Sequence, residues 1–141
     1  MNYQVCVIGA GTGGYVAAIR AAQLGAKVLL IEKKELGGVC LNRGCIPTKT
    51  LLKSAEKWQD ITHSEEFGMF VSEYAYDWDK IMERKNNVIY QLRSGIEKLM
   101  KSNKIEFVEG SAHLIDAHSV HIVTDNPGDE RCIHAEKVIL A

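Results

Sequence analysis

The chain has 141 residues, which suits one domain of ordinary size, and its 46% hydrophobic and 25% charged residues can support a packed core. Seventeen Lys and Arg residues against 18 Asp and Glu residues give a formal net charge of -1, and the signs are interleaved, which excludes the basic stripe of a nucleic-acid-binding protein. No apolar run approaches the roughly 20 residues that cross a bilayer, and the first residues lack the features of a targeting signal, so we expect a cytoplasmic protein with no membrane partner.

The first 32 residues have the order of a β-α-β unit. A β-rich apolar run predicts a strand over 3–8, and strong helix formers predict a helix over 13–24, with Gly25 where a helix C-cap would fall. A second apolar run predicts a strand over 27–32. Because a helix connects the two strands, we expect them to be parallel.

The middle of the chain is predicted to be helical after a loop. Residues 33–45 are punctuated by glycine and have no clear period, which indicates a loop. Pro47 is placed as a first-turn proline of a helix over 48–61. Asp77 is a suitable N-cap for a long amphipathic helix over 78–100.

After Lys104 the apolar residues alternate with a period of two, which predicts short strands joined by turns. The predicted strands are 105–108, 113–115, 120–124, 131–134 and 137–140, with connections at 116–118 and 126–129. Cys6 and Cys132 each lie within an apolar strand pattern, and we expect both to be small core residues.

The first glycine-rich turn carries a dinucleotide-binding signature. Gly9, Gly11 and Gly14 match the pattern in which the first glycine permits a tight turn, the second admits a pyrophosphate and the third packs helix against strand. The phosphates would lie at the N-terminus of the following helix, and Glu32 could accept both hydroxyls of an adenosine ribose. The alternative is an ordinary turn beside a surface acid, and the turn does not distinguish NAD from FAD.

These elements predict a three-layer α/β domain of the Rossmann-like FAD/NAD(P)-binding class. A parallel sheet would carry the helices over 13–24 and 78–100 on one face. A small antiparallel β-meander, formed after Lys104, would cover the other face.

Cys40 and Cys45 are close enough in sequence to close a small disulfide ring. A disulfide that closes so short a loop adds little to the stability of the fold, so a redox function explains such a bridge better than a structural role. The N-terminus of the next helix would favour the thiolate of Cys45. A zinc half-site is an alternative, although no second Cys/His pair follows at a suitable distance, and a pair of inert core cysteines is another.

The segment from Gly37 to Lys49, Gly-Gly-Val-Cys-Leu-Asn-Arg-Gly-Cys-Ile-Pro-Thr-Lys, resembles the flavin disulfide reductases (pyridine nucleotide-disulfide oxidoreductases), and most of all the dihydrolipoamide dehydrogenases. The resemblance implies oxidation of dihydrolipoamide through a Cys40–Cys45 disulfide and FAD, with NAD+ as the final acceptor. Glutathione and mercuric reductases have similar motifs but usually differ where Ile46 or Thr48 stands here. A stand-alone flavin-binding module without turnover is a third possibility.

The resemblance also implies roles for individual residues. Cys45 would lie against the flavin, Cys40 would exchange with the lipoyl disulfide, and Lys49 would reach toward the flavin ring. The partners implied are the lipoyl domains of 2-oxoacid dehydrogenase or glycine cleavage complexes, and a second copy in a homodimer. The implied FAD-binding residues are Gly9, Gly11, Gly13, Gly14, Glu32, Lys33, Gly37, Gly38, Val39, Cys40, Cys45, Lys49 and Ala112.

Members of this family are much longer than 141 residues. The resemblance therefore implies that residues 1–141 are the N-terminal part of an FAD-binding domain carrying the redox disulfide, with the NAD-binding, central and dimerisation domains outside this chain. The family's catalytic His–Glu pair belongs to the last of those domains, so we expect the chain alone to be inactive. Its own five histidines are expected to be structural or solvated: His63, His113, His118, His121 and His134.

Overall fold

A computed structural model of the chain describes residues 2–126 and 128–141. Within these residues, six strands form one sheet in the order β3-β2-β1-β6-β5-β4. The elements are β1 (Asn2–Ile8), α1 (Thr12–Gln23), β2 (Val28–Glu32), α2 (Gly38–Asn42), α3 (Cys45–Thr62), a 3-10 turn (Ser64–Phe67), α4 (Trp78–Ser102), β3 (Glu106–Glu109), β4 (Ser111–Leu114), β5 (Ser119–Val123) and β6 (Glu130–Leu140).

The predicted β-α-β unit is confirmed as β1, α1 and β2, and it forms the centre of a parallel sheet. β1 pairs in parallel with β2 and β6, and β2 pairs in parallel with β3. The residues from Val28 to Ile31 are all buried, as expected for a parallel strand covered on both faces. β3, predicted among the antiparallel strands, is instead parallel to β2 because α4 precedes it as a crossover helix.

β6 connects the parallel sheet to the antiparallel meander. It pairs in parallel with β1 over 134–140 and antiparallel with β5 over 130–134, and β5 pairs with β4. The prediction of two separate strands, over 131–134 and 137–140, is therefore wrong. Ile133 and Ala135 are both buried, so every second side chain still faces the core at this point. No turn therefore interrupts the strand.

Two hydrophobic cores lie on opposite faces of the parallel strands. On one face, Val7 and Leu30 pack with Ala18 of α1 and with Ile96 and Met100 of α4. On the other face, the meander residues Val120, Ile122 and Ile133 pack with Cys6, Leu29 and Ile31. The predicted three layers are confirmed, with the meander reaching its face as a continuation of the same sheet.

Two further local predictions differ from the structure. Residues 33–45 contain α2, whose five residues are too few to show a helical period in sequence. Cys132 is exposed because it shares the outward face of the meander with His121, while neighbouring Ile133 points inward. The predicted turn over 126–129 includes Pro127, which is outside the described residues.

The long helix α4 begins where predicted. Asp77 is its N-cap, and its carboxylate accepts a hydrogen bond from the backbone N–H of Lys80 at 3.1 Å. Among the apolar residues of this helix, Ile96 and Met100 are buried, whereas Trp78 is 58% exposed. The C-terminal half of the helix therefore provides its contact with the sheet.

No helix within the described residues is both long and apolar enough to span a membrane.

We expect opposite effects on stability from alanine at two adjacent glycines. A Cβ at Gly14 would lie 1.8 Å from the carbonyl oxygen of Gly9, whereas a Cβ at Gly13 would meet nothing within 4 Å. Gly14→Ala should lower the free energy of unfolding by about 2–3 kcal/mol through overpacking. Gly13→Ala in the same helix should raise it by roughly 0.5–1 kcal/mol. Urea unfolding followed by circular dichroism measures both, and equal values for the two variants would contradict the packing described.

Tyr3 should make stability depend on pH in the alkaline range. Its buried hydroxyl donates to Glu106 Oε2 at 2.7 Å, and burial, followed by the hydrogen bond and charge of Glu106, raises the pKa of Tyr3 to about 12. An unfolded tyrosine titrates near 10, so this contribution is complete below about pH 10 and is lost as pH rises through about 12. Urea unfolding from pH 8 to 12 should show a steeper loss for the wild type than for Tyr3→Phe. Tyr76→Phe, at an exposed position, should follow the wild type. Parallel curves for the wild type and Tyr3→Phe would contradict this assignment.

Candidate functional site

The turn between β1 and α1 has the geometry that a pyrophosphate requires. Gly9 has a φ of +99°, which favours glycine, and Gly14 packs against the backbone of Gly9. A Cβ added to Gly11 or Gly13 would meet nothing within 4 Å, so the backbone there is open to an approaching group. The first turn of the twelve-residue helix α1 has no acidic residue and no side-chain cap, which leaves N–H donors for an anion.

Glu32 lies beside this turn at the end of β2. Its Oε2 accepts a hydrogen bond from the Ala10 N–H at 2.7 Å, and its Oε1 accepts one from the Lys34 N–H at 2.9 Å. The carboxylate is half-buried, while the neighbouring Lys33 is exposed. Glu32 therefore holds the dinucleotide turn in place, and its remaining acceptor capacity can serve ribose hydroxyls.

A second glycine turn brings the cysteine segment against the first. Gly37 and Gly38 have φ values of +97° and +66°, in the left-handed region. The N–H of Gly37 donates to the carbonyl of Ala10 at 2.9 Å, and a Cβ at Gly38 would lie 2.7 Å from the Cα of Gly11. The two motifs that the sequence suggested separately are thus in backbone contact.

Cys40 and Cys45 form a disulfide that connects α2 to α3, with their Cα atoms 4.7 Å apart. Cys40 lies in the middle of α2 and is half-buried, whereas Cys45 is the first residue of α3 and is exposed. Because the first turn of α3 contains no acidic residue, its N-terminus favours a negative charge on the Cys45 sulfur after reduction.

A cavity of about 240 Å³ lies between the disulfide and α1. Both motifs contribute to its wall, together with apolar side chains of α3 and α4. Its lining residues are Thr12, Tyr15, Gly37, Cys40, Leu41, Ile46, Leu92 and Ile96. A concave, mostly apolar site with a reactive group in its wall is typical of cofactor and substrate binding.

Three other predicted site residues lie on three different elements. Lys49 is exposed and lies one helical turn after Cys45 in α3, and Val39 is 70% exposed in α2. Ala112 belongs to β4 of the meander. The start of that hairpin reaches the site, because the N–H of Gly110 donates to the backbone carbonyl of Glu32 at 2.8 Å.

Asn42 is a residue of the site that the sequence reasoning did not single out. Its Nδ2 donates to the carbonyls of Leu36 at 3.1 Å and Gly38 at 2.9 Å. The signal that could have found it is its position between the two cysteines, in the segment that carries the resemblance. Arg43 and Glu35 form an exposed ion pair next to it, and the hydrogen bond from Arg43 lowers the pKa of the Glu35 carboxyl.

Among the described residues, no histidine of the meander lines this cavity. The rings of His118 and His134 are 5.7 Å apart, and His121 Nε2 is 3.2 Å from Glu130 Oε2. In the part of the chain that the structure describes, no three His, Cys, Asp or Glu side chains are arranged to hold a metal ion.

Known dihydrolipoyl dehydrogenases are similar to this chain in sequence. The enzyme of Geobacillus stearothermophilus is 49% identical over 120 residues, which cover 85% of this chain and 26% of the enzyme. The enzyme of Chlamydia trachomatis serovar D is 46% identical over 139 residues, which cover 99% of this chain and 29% of the enzyme. The chain thus spans between a quarter and three-tenths of the length of these relatives.

A solved structure is similar to the whole chain. The HOCl-induced flavoprotein disulfide reductase RclA from Escherichia coli, determined as a Cu(II) complex, superposes with a TM-score of 0.81 at 30% identity, covering 100% of this chain and 28% of that protein. The family model described as pyridine nucleotide-disulphide oxidoreductase matches residues 3–141. The glycine turn, the redox-type disulfide beside it and these similarities agree, and the chain belongs to the pyridine nucleotide-disulphide oxidoreductase family.

Proposed function

We propose that this chain is the N-terminal, FAD-binding portion of a dihydrolipoamide dehydrogenase. The observation that carries the proposal is the Cys40–Cys45 disulfide held in backbone contact with the dinucleotide turn through Gly37 and Gly38. The 46–49% identity to dihydrolipoyl dehydrogenases supports the choice of substrate within the family. The NAD-binding, central and dimerisation domains that the resemblance implies would correspond to the part of the relatives' length that this chain does not span.

The residues present fit an adenine dinucleotide. The open backbone at Gly11 and Gly13 and the free N–H groups of α1 suit its pyrophosphate, and Glu32 suits its ribose. When bound, FAD would accept two electrons from the reduced cysteine pair and pass them to NAD+. The other residues proposed to contact it are Gly9, Gly14, Lys33, Gly37, Gly38, Val39, Cys40, Cys45, Lys49 and Ala112.

The cysteine pair would carry out the chemistry on the substrate side. A thiolate of dihydrolipoamide attacks Cys40 Sγ, which forms a mixed disulfide, breaks the Cys40–Cys45 bond and releases Cys45 as a thiolate. The second substrate thiol, after losing its proton, then attacks the substrate sulfur that is bonded to Cys40 in the mixed disulfide. This step closes the lipoamide ring and releases Cys40 as the second reduced sulfur. Two electrons pass from substrate to the pair, and the N-terminus of α3 stabilises the charge on Cys45.

The proposal extends to partners and location. The natural substrate would be presented on lipoyl domains of 2-oxoacid dehydrogenase or glycine cleavage complexes, and the longer protein would act as a homodimer in the cytoplasm. The names of the relatives support the lipoyl substrate. The catalytic base, the NAD site and the dimer contacts would belong to the rest of the protein.

Glu32 should determine how tightly the chain binds FAD. Glu32→Gln removes the negative charge that accepts ribose hydroxyls, and we expect the Kd for FAD to rise about tenfold or more. Glu109→Gln is a matched control, since Glu109 pairs with Glu32 across β2 and β3 but is exposed on the neighbouring strand. Titration of the apoprotein, followed by flavin absorbance and fluorescence, gives both affinities. A wild-type chain that binds no FAD at millimolar concentration, or equal weakening by the two variants, would count against the proposed site.

The cysteine pair should be essential for turnover in the full-length protein. Cys40→Ser and Cys45→Ser should each lower NADH formation from dihydrolipoamide by at least 1,000-fold, since neither can form the disulfide. Cys132→Ser changes an exposed free thiol and should leave the rate unchanged. In denaturant, the unreduced wild-type chain should show two free thiols, and four after reduction. Full turnover by Cys45→Ser, or no turnover by the wild type, would refute the proposed function.

A further inference from the structure

Asn42 joins the two ends of the segment that holds Cys40. It is the last residue of α2, two positions after Cys40 and three before Cys45. From there its side-chain amide reaches back to the start of the helix, where it donates to the carbonyls of Leu36 at 3.1 Å and Gly38 at 2.9 Å. One side chain therefore bridges both sides of the Gly37–Gly38 turn.

This turn is the contact between the disulfide and the dinucleotide-binding backbone. Gly37 donates to Ala10, and the Gly38 backbone lies against Gly11. Both glycines have left-handed backbone angles, and glycine loses more conformational freedom on ordering than any other residue. The turn therefore needs an external restraint, and the two bonds from Asn42 provide one.

The helix α2 is held by the disulfide and by the buried side chain of Leu41, but it is not stable by itself. Its five residues are far fewer than an isolated helix needs for stability, and no side-chain hydrogen bond caps its N-terminus. The Oδ1 of Asn42 is buried and has no hydrogen-bond partner among the described residues. Burying an acceptor without a partner costs free energy. The favourable contribution of an asparagine side chain here therefore comes from the two hydrogen bonds that its amide nitrogen donates.

We propose that Asn42 is a positioning residue that fixes Cys40 relative to both Cys45 and the dinucleotide-binding turn by restraining the Gly37–Gly38 turn. The inference rests on the proposed function, in which the disulfide must exchange with substrate while staying beside the cofactor. Asn42 touches neither substrate nor cofactor in this proposal. Losing it would free α2 in the reduced protein and so favour the dithiol over the disulfide.

The test measures the equilibrium between the Cys40–Cys45 disulfide and its dithiol form in the 141-residue chain, without cofactor. The chain is equilibrated with reduced and oxidised dithiothreitol, and its free thiols are then alkylated. Mass spectrometry gives the fractions of the disulfide and dithiol forms. Asn42→Ala removes both hydrogen bonds, whereas the hydroxyl in Asn42→Ser can still donate to the carbonyl four residues earlier, that of Gly38. One hydrogen bond changes an equilibrium constant roughly fivefold when it forms in only one of the two states. We expect each bond from Asn42 to be weaker in the dithiol form, so that losing it shifts the redox equilibrium by part of this factor.

We therefore expect the equilibrium constant for reduction to rise about tenfold in Asn42→Ala and about threefold in Asn42→Ser. Asn103→Ala is the matched control, because Asn103 also donates its Nδ2 to the carbonyl four residues earlier, at 2.8 Å, but at the end of α4. It should lower stability without moving the disulfide equilibrium. An unchanged equilibrium in Asn42→Ala, or an equal shift in Asn103→Ala, would overturn the inference. Should Asn42→Ala fail to fold, an unchanged equilibrium in Asn42→Ser would overturn it.

Turnover of the full-length enzyme separates this inference from the proposed function. Asn42→Ala should lower kcat for dihydrolipoamide oxidation about tenfold with less than a twofold change in KM, while Asn103→Ala matches the wild type. An inactive wild type would refute the proposed function and leave the disulfide equilibrium as a separate result. An active wild type with an equally active Asn42→Ala would refute the positioning role alone.

Discussion

The site depends on a contact between two stretches of backbone that have no side chains between them. Gly38 lies so close to Gly11 that a single Cβ would be 2.7 Å from the Gly11 Cα, and the adjacent Gly37 N–H bonds to Ala10. Such an approach is available to glycine alone, and Gly37 and Gly38 also have left-handed backbone angles that favour glycine. Without this contact, the redox pair and the dinucleotide turn would be two unrelated loops on one sheet.

The same region gathers two helix N-termini. α1 starts at the dinucleotide turn and α3 starts at Cys45, and neither first turn contains an acidic residue. The partial positive charge at a helix N-terminus stabilises anions within its first turn. One helix is therefore suited to a phosphate and the other to a thiolate, so backbone dipoles can stabilise both of these charges.

Local patterns in the sequence were sufficient to predict much of this arrangement. The glycine fingerprint, the acid at the end of β2 and the Asp77 cap each depend on residues that are near in sequence, and the structure has β1, α1, β2 and α4 where these patterns place them. The contact between Gly38 and Gly11 could not be predicted. A glycine in the sequence indicates that another segment can approach the backbone closely, but it does not indicate which segment does so. Asn42 was missed for a related reason, since its bonds depend on the turn that only the fold creates. The exposed Cys132 was wrongly placed because alternation does not say which of two adjacent residues faces the core.

The continuity of β6 has a consequence for how the domain opens. Its first half belongs to the meander and its second half to the parallel sheet, and Ala135 between them is fully buried. Regions that exchange their amide protons independently are usually separated by a boundary that few backbone hydrogen bonds cross. In this domain the boundary between the meander and the parallel sheet runs through the interior of one strand. Separating the meander from the parallel sheet would therefore also expose the core beneath β1 and β2. The two layers are therefore coupled into a single cooperative unit.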